Sequence, residues 1–297
     1  MSFSTSGLLA VVGRGKLTDR AWARIEPLLP VSGRGRRWRD HRQVLNGILW
    51  KLRTGAPWRD LPECYGPWKT AHERLRLWTA DGTWDKILAE VIVRDDAVGE
   101  VEWVISVDSS VVRAHQHAAG ARKRGCTATV DALAVEGEGL GCSRGGLRTK
   151  IHLAVDRRGR PLRVLLTPGQ AGDNPQLLPL LDGIRVARVG PGRPRSRPEM
   201  VIADKAYSHP STRQALRDCK IRFVSPERDD QIARRAARGS RCGRPPAFDA
   251  ELYKQRNVIE RCFNRLKQFR DLATRYAKRA AYYHAELTIA TIILWLR

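Results

Sequence analysis

Two short apolar runs, ISVDSS at 105–110 and VIADKAY at 201–207, each deliver an aspartate, Asp108 and Asp204. Their β-branched content, with Val104, Ile105, Val107, Val111 and Val112 around the first acid, reads as strand. A carboxylate inside or just past an apolar strand is unfavourable unless it is paired or binds a cation. These two positions therefore constrain the chain more than any other feature. Either each acid caps its own strand or bonds a neighbouring loop, or two adjacent strands bring both acids to one edge of a single sheet.

The surrounding pattern fits a mixed sheet. LRTKIHLAVD and PLRVLLTP flank RRGR and predict a hairpin, and IRFVSP predicts a further short strand. NPQLLPLLDGI and SHPSTRQALRDC read as helices, whereas ERDDQIARRAARGSRCGRPPAF reads as a basic connection broken by Gly and Pro. The order of three strands followed by alternating helices and strands predicts an α/β fold with helices on both faces of a mixed sheet. Ahead of it, residues 17 to about 93 read as helical. Thr18 is a candidate N-cap, Pro67 a first helical residue, and Lys69, Arg74 and Arg76 form a basic third helix. That segment is open to two readings, a helix-turn-helix or a bundle with a wet basic face. The predicted organisation is a flexible stretch at 1–16, a helical unit at 17–95 and a sheet domain at 96–297, with a mobile loop at 118–146.

Among 297 residues, 54 Lys and Arg stand against 31 Asp and Glu, a formal net charge of +23. Such an excess repels itself in a compact fold, and a polyanion, nucleic acid first, is the expected partner. The longest apolar run, LTIATIILWL, is shorter than the roughly 20 residues that span a bilayer, so a buried terminal helix is expected and no membrane. The N-terminus does not read as a secretory signal. The six cysteines form no C-x-x-C pair, which disfavours zinc and a disulfide framework and suits a reducing cytoplasm.

The stretch YKQRNVIERCFNRLK, 253–267, carries five basic residues and one acid, Glu260. At about 100° per residue, Tyr253, Arg256, Glu260 and Lys267 share one stripe. Val258, Cys262, Leu266 and Phe269 lie opposite and form the face to be buried. Read alone, Glu260 is a solvated partner of its basic neighbours. Read with Asp108 and Asp204, it is the third member of a carboxylate cluster. Three apposed carboxylates repel one another, and oxygen-only donors suit Mg²⁺ or Mn²⁺. A pair of such ions assists in-line phosphoryl transfer.

The spacing Y-x-x-R-x-x-x-E-x-x-x-x-x-x-K, met by Tyr253, Arg256, Glu260 and Lys267, resembles the third-acid signature of bacterial DDE transposases of the insertion-sequence-four and insertion-sequence-five groups. ADKAY, with Tyr207 three residues after Asp204, resembles their second-acid motif, and ISVDSSVVRAH their first. GGLRTKIHLAVD, LTPGQAGDN, LTDRAWARIEPLLP and LRTGAPWRDLP are similar to other segments of the insertion-sequence-five group, so the resemblance runs from Leu17 to the last residue. It implies an RNase H-like sheet and a triad of Asp108, Asp204 and Glu260 holding two Mg²⁺ or Mn²⁺ ions. Tyr253, Arg256 and Lys267 are implied as contacts to DNA near the cut, with Lys150, Tyr207, Lys69, Arg74 and Arg76 as further contacts. The implied activity is binding of terminal inverted repeats, strand cleavage and transfer to target DNA by a homodimer in the cytoplasm, at the nucleoid. The alternatives are a nuclease of the same fold and a catalytically silent remnant that only binds DNA.

Several weaker features have plainer readings. Lys150 and His152 alternate on a strand and are expected on an exposed face. His115 and His117 read as loop histidines, and Asp156 as a turn residue. Asp173 and Asn174 read as caps of the next helix, and Trp58 and Trp68 as core.

Overall fold

The computed structural model describes residues 15–31, 38–119, 136–143, 146–242 and 244–297. The first helices are α1 (Asp19–Ile25), α2 (His41–Thr54), α3 (Trp68–Ala80) and α4 (Thr83–Ala97). Thr18 caps α1, its hydroxyl accepting from the Ala21 amide at 3.2 Å. Gly55, left-handed at φ 68°, ends α2. Pro67 is the N-cap of α3, one position ahead of the first helical turn expected for it.

The sheet begins with β1 (Val104–Ala114), followed by the short helix α5 (Gln116–Ala119). Next come β2 (Gly141–Ser143), β3 (Gly146–Val155) and β4 (Pro161–Pro168). Part of the loop expected at 118–146 is therefore built: a 3₁₀ turn at Glu136–Gly139 leads into β2, which pairs with the start of β3. The middle of that span lies outside the described residues. The chain continues through α6 (Leu177–Asp182), β5 (Met200–Ala203), α7 (Pro210–Asp218), β6 (Arg222–Val224) and α8 (Asp229–Arg238). It closes with α9 (Ala250–Lys254), α10 (Asn257–Lys267), α11 (Arg270–Ala273), β7 (Thr274–Arg275) and α12 (Ala280–Trp295).

The pairings run β4-β3-β1-β5-β6, antiparallel on the first two contacts and parallel on the last two, with β2 on β3 and β7 on β1. This is the mixed sheet of the RNase H-like expectation. The central strands bury both faces, which is why their sequences run apolar: Ile105, Val107 and all of β5 are buried. Successive side chains leave opposite faces of a strand. Asp108 meets Arg256 at the start of α10, and Ser109 meets Asp173 just ahead of α6. These two helices thus flank opposite faces of β1.

Two departures from the sequence pattern stand out. The connection at 229–238 is a full helix, α8, although it buries no residue. Its support is electrostatic, with Asp229 and Asp230 in the first turn and Arg235 and Arg238 in the last. Residues 253–267 are two helices, broken at Gln255 and Arg256, so Tyr253 belongs to α9 and Glu260 to α10.

The helices at 17–97 do not stand apart from the sheet. One continuous apolar core runs from Leu17 and Ile25 through α2 and α4 to the sheet and α12. α12 is buried along nearly its whole length, packs on α4 and β4, and donates from Trp295 Nε1 to the Pro161 carbonyl at 2.7 Å. Lys51 of α2 and Asp271 of α11 form a buried ion pair across the same seam. Among the described residues no helix is long and apolar enough to cross a membrane.

Candidate active site

The parallel register of β1 and β5 ends at Val107 opposite Ala203. The next residue on each strand is an acid, so Asp108 and Asp204 leave neighbouring strands side by side, about 4.8 Å apart in the sheet. Each is oriented by the backbone that follows it. Asp108 Oδ1 accepts from the Ser109 amide at 2.8 Å, and Asp204 Oδ1 from the Lys205 amide at 2.7 Å. Asp204 also caps the 3₁₀ turn Lys205–Tyr207.

The third acid comes from α10. Ile259, Cys262, Phe263 and Leu266 are buried, which leaves Glu260 exposed as the apolar phase of the helix dictates. Arg256, at the break between α9 and α10, bridges two of the acids. Its Nη1 lies 2.7 Å from Glu260 Oε1 and its Nη2 3.2 Å from Asp108 Oδ2. Tyr253 completes the connection, its hydroxyl donating to Asp204 Oδ1 at 3.4 Å. Burial raises the Asp108 carboxyl above the ordinary value. The Ser109 amide and Arg256 pull it back, while the charges of Asp204 and Asp173 push it further up. Tyr253, Arg256 and Glu260, from α9, the break and α10 in turn, are thus brought onto the two strand acids. Lys267 is exposed, seven residues or roughly 10 Å along α10 from Glu260.

The turn of the β3–β4 hairpin sets the position of α10. Asp156 is buried there and accepts from the Arg160 amide at 2.8 Å and from its guanidinium at 2.7 Å. Gly159, at φ +74°, presses against α10 so closely that an added Cβ would sit 3.0 Å from the Val258 carbonyl oxygen. The turn reading of Asp156 holds, with burial and an ion pair added.

Behind the triad, on the opposite face of β1, lies a set that the sequence pattern placed elsewhere. Lys150 donates to the Ala171 carbonyl at 2.6 Å and to Asp173 Oδ1 at 3.0 Å, and the Ser109 hydroxyl donates to the same oxygen at 2.7 Å. Asp173 stands at the N-cap of the 3₁₀ turn Asn174–Gln176 as expected, but its side chain makes no capping hydrogen bond; it is a fourth carboxylate beside Asp108. Asn174 accepts from the Thr212 hydroxyl at 2.9 Å. Nor is the strand face of Lys150 and His152 open. His152 is fully buried against the Thr167 hydroxyl at 2.9 Å, and burial lowers its pKa to about 4, so it is neutral.

Other expected contacts are also turned inward. The Tyr207 ring is buried beneath the acids and cannot meet a DNA strand; its burial, followed by the charges of Asp173 and Asp108, raises its phenol. Arg74 is buried in the α2–α3 region, stacked 4.0 Å from the Trp38 ring centre and 2.7 Å from His41 Nδ1. The basic face of α3 therefore consists of Lys69 and Arg76, both exposed, with Arg76 reaching Tyr282 Oη at 3.2 Å. His115 and His117 stack edge to face at 4.5 Å beside Tyr276, and Trp58 and Trp68 pack against the core as expected.

Two strand acids, one helix acid and an arginine between them are suited to handling a cation and a phosphate at one place. The family described as "Transposase DDE domain" matches residues 99–296, and "Putative transposase of IS4/5 family" matches residues 17–88. The chain is 34% identical over 151 residues to the "Putative transposase for insertion sequence element IS6501" of Brucella ovis, covering 51% of this chain and 100% of that protein. It is 36% identical over 148 residues to the corresponding IS402 protein of Burkholderia cepacia, covering 50% of this chain and 63% of the other. A solved structure, the pre-cleavage Mos1 transpososome, aligns at 11% identity and a TM-score of 0.26 over 82% of this chain and 81% of its own; the fold assignment rests on strand order instead. With the strand acids, the signature helix and the family match in agreement, the chain belongs to the DDE transposases of bacterial insertion sequences.

Proposed function

We propose that Asp108, Asp204 and Glu260 are the acids with which this transposase cuts the ends of its insertion sequence and joins them to target DNA. The observation that carries this reading is the emergence of Asp108 and Asp204 side by side where β1 and β5 stop pairing. The donor set fits a hard divalent cation, Mg²⁺ or Mn²⁺: it is all oxygen, and the half-buried Asp108 has little beyond one guanidinium to balance its charge. Among the described residues no three His, Cys, Asp or Glu side chains enclose an ion, and Arg256 stands between Asp108 and Glu260. In this reading Asp108 and Asp204 hold the ions, and Glu260 joins them once Arg256 turns to a DNA phosphate. When bound, a pair of such ions activates the attacking oxygen and stabilises the leaving one.

The chain's own residues do the rest. The Ser109 and Lys205 amides fix one oxygen of each Asp; the second oxygen of Asp204 is left to coordinate, and that of Asp108 is released when Arg256 turns away. Tyr253 and Arg256 orient the DNA backbone, and Lys267 neutralises a phosphate farther along α10. The helices at 17–95 read the terminal repeats through exposed groups such as Lys69 and Arg76, and residues 96–297 carry the chemistry, as a homodimer on DNA at the nucleoid.

Asp108→Asn, Asp204→Asn and Glu260→Gln each keep side-chain shape and remove charge. Each is expected to lower Mg²⁺-dependent cleavage of a terminal-repeat duplex on the order of a thousandfold while end binding persists. Cleavage near the wild-type rate by either Asp variant sinks the assignment.

A further inference from the structure

Beyond the acids, α7, α8 and the segment that follows α8 enclose an open groove of about 730 Å³. It starts at Ser208, four residues past Asp204, and seven arginines line it against two acids, Glu227 and Asp230, a local net of +5. Four of the arginines are already held by a carboxylate or a backbone carbonyl. Arg213 donates to the Ser225 carbonyl at 2.7 Å, Arg235 pairs with Glu227, and Arg228 and Arg234 share Asp230 at 2.9 Å each. Arg217, Arg238 and Arg244 are exposed and form no ion pair among the described residues. Arg217 donates to the Gln214 side chain, an exposed neighbour on its own helix, at 2.9 Å.

The groove is fixed to the second acid. Gln231 of α8 donates to the Ser208 carbonyl at 3.1 Å and accepts from its hydroxyl at 3.0 Å, and the Ser225 hydroxyl donates to the Asp204 carbonyl at 3.0 Å. α8 buries no side chain, its own end charges support it, and the arginines it carries toward one hollow call for a counter-charge beyond Glu227 and Asp230. A polyanion supplies one, and guanidinium groups on a rigid floor match backbone phosphates more closely than they match scattered carboxylates.

We propose that this groove binds the sugar-phosphate backbone of duplex DNA flanking the cut, on the Asp204 side of the site, with Arg217, Arg238 and Arg244 as the phosphate contacts. The proposal rests on the transposase reading above and adds a second DNA track to the triad and α3. It contacts the backbone and is therefore insensitive to sequence.

The test uses the full chain with Arg217, Arg238 and Arg244 changed together to Ala, and in a second variant to Lys. None of the three ties one element of the fold to another, so the thermal unfolding midpoint is expected to stay within experimental scatter. Binding to a terminal-repeat duplex that extends beyond the cut is measured against salt concentration. The Ala variant is expected to lower the slope of log K against log salt by about 2–3, near 0.9 for each phosphate no longer neutralised. The Lys variant is expected to keep most of the slope. Shortening the flanking duplex is expected to reduce wild-type affinity and leave the Ala variant unaffected. An unchanged slope in the Ala variant, with wild-type binding and cleavage intact, overturns the groove alone. A wild-type chain that binds no duplex overturns the groove together with the transposase reading.

Discussion

At the scale of single residues, Arg256 carries the most consequence. It neutralises Asp108 and Glu260 at once, so in the DNA-free protein it holds the place that a cation and a phosphate would share. Arg256→Ala is therefore expected to act in two directions. Mn²⁺ binding to the DNA-free protein, followed by calorimetry, should tighten because two carboxylates are released. Cleavage should slow about ten- to a hundredfold because the variant lacks a charge-assisted hydrogen bond to phosphate, roughly 1.5–3 kcal/mol. Weaker Mn²⁺ binding would show that Arg256 supports the acids rather than competing for them. Glu260 was legible in the sequence because Cys262 and Leu266 fix the phase of α10 and leave it outside, although Ile259 and Phe263, rather than Val258, complete the buried face of that helix. Arg74 was not: its burial depends on the Trp38 ring, from a different segment, closing over it. Asp173 was equally hidden, since a capping aspartate and one that answers a lysine across a sheet look alike until β3 and the loop after β4 are brought together.

Among the elements, α8 and α12 mark the limits of pattern reading in opposite ways. α12 was plain, because an unbroken apolar run too short for a bilayer has few places to go. α8 sets Ile232, Ala233, Ala236 and Ala237 at helical spacing but buries none of them and is held by charge placement, and the Gly and Pro that follow it masked its presence. The strands were legible from their β-branched runs, but the β1–β5 neighbourhood that unites the acids is set by long-range pairing. α12 also carries a buried acid. Burial, reinforced by Asp271 and opposed by Lys51 and Arg275, raises Glu286 from 4.5 to about 8. The folded state then holds a proton that the unfolded chain releases near 4.5. Stability from this group is fully present below about pH 4.5 and falls as pH rises toward about 8. Glu286→Gln keeps the neutral form at every pH. Its unfolding midpoint relative to wild type is expected to be near zero at about pH 5 and clearly higher at about pH 9. A difference that does not grow with pH would place an ionised Glu286 in the core.

For the whole molecule, the shared core decides how the parts behave. The seam between α4 and α12 and the buried Lys51–Asp271 pair join residues 17–95 to the sheet domain. Cutting the chain at 95 exposes the apolar sides of α2 and α4 and leaves Lys51 without its carboxylate. The isolated fragment is therefore expected to unfold without a cooperative transition in urea, whereas the full chain unfolds as one unit or in steps that cross this seam. A sharp transition for the fragment, with m near that expected for its size, would show an independent domain. The net charge of +23 spreads over this joined body, so the helices at 17–95 and the sheet domain share one electrostatic field. The same seam bears on ancestry. A mobile element that kept its reader on a free linker could take up another lineage's reader whole and change its ends in one recombination event. On the reading proposed above, a transplanted reader would arrive with the wrong surface for α12, and new end preferences would be reached more readily by drift at exposed positions such as Lys69 and Arg76.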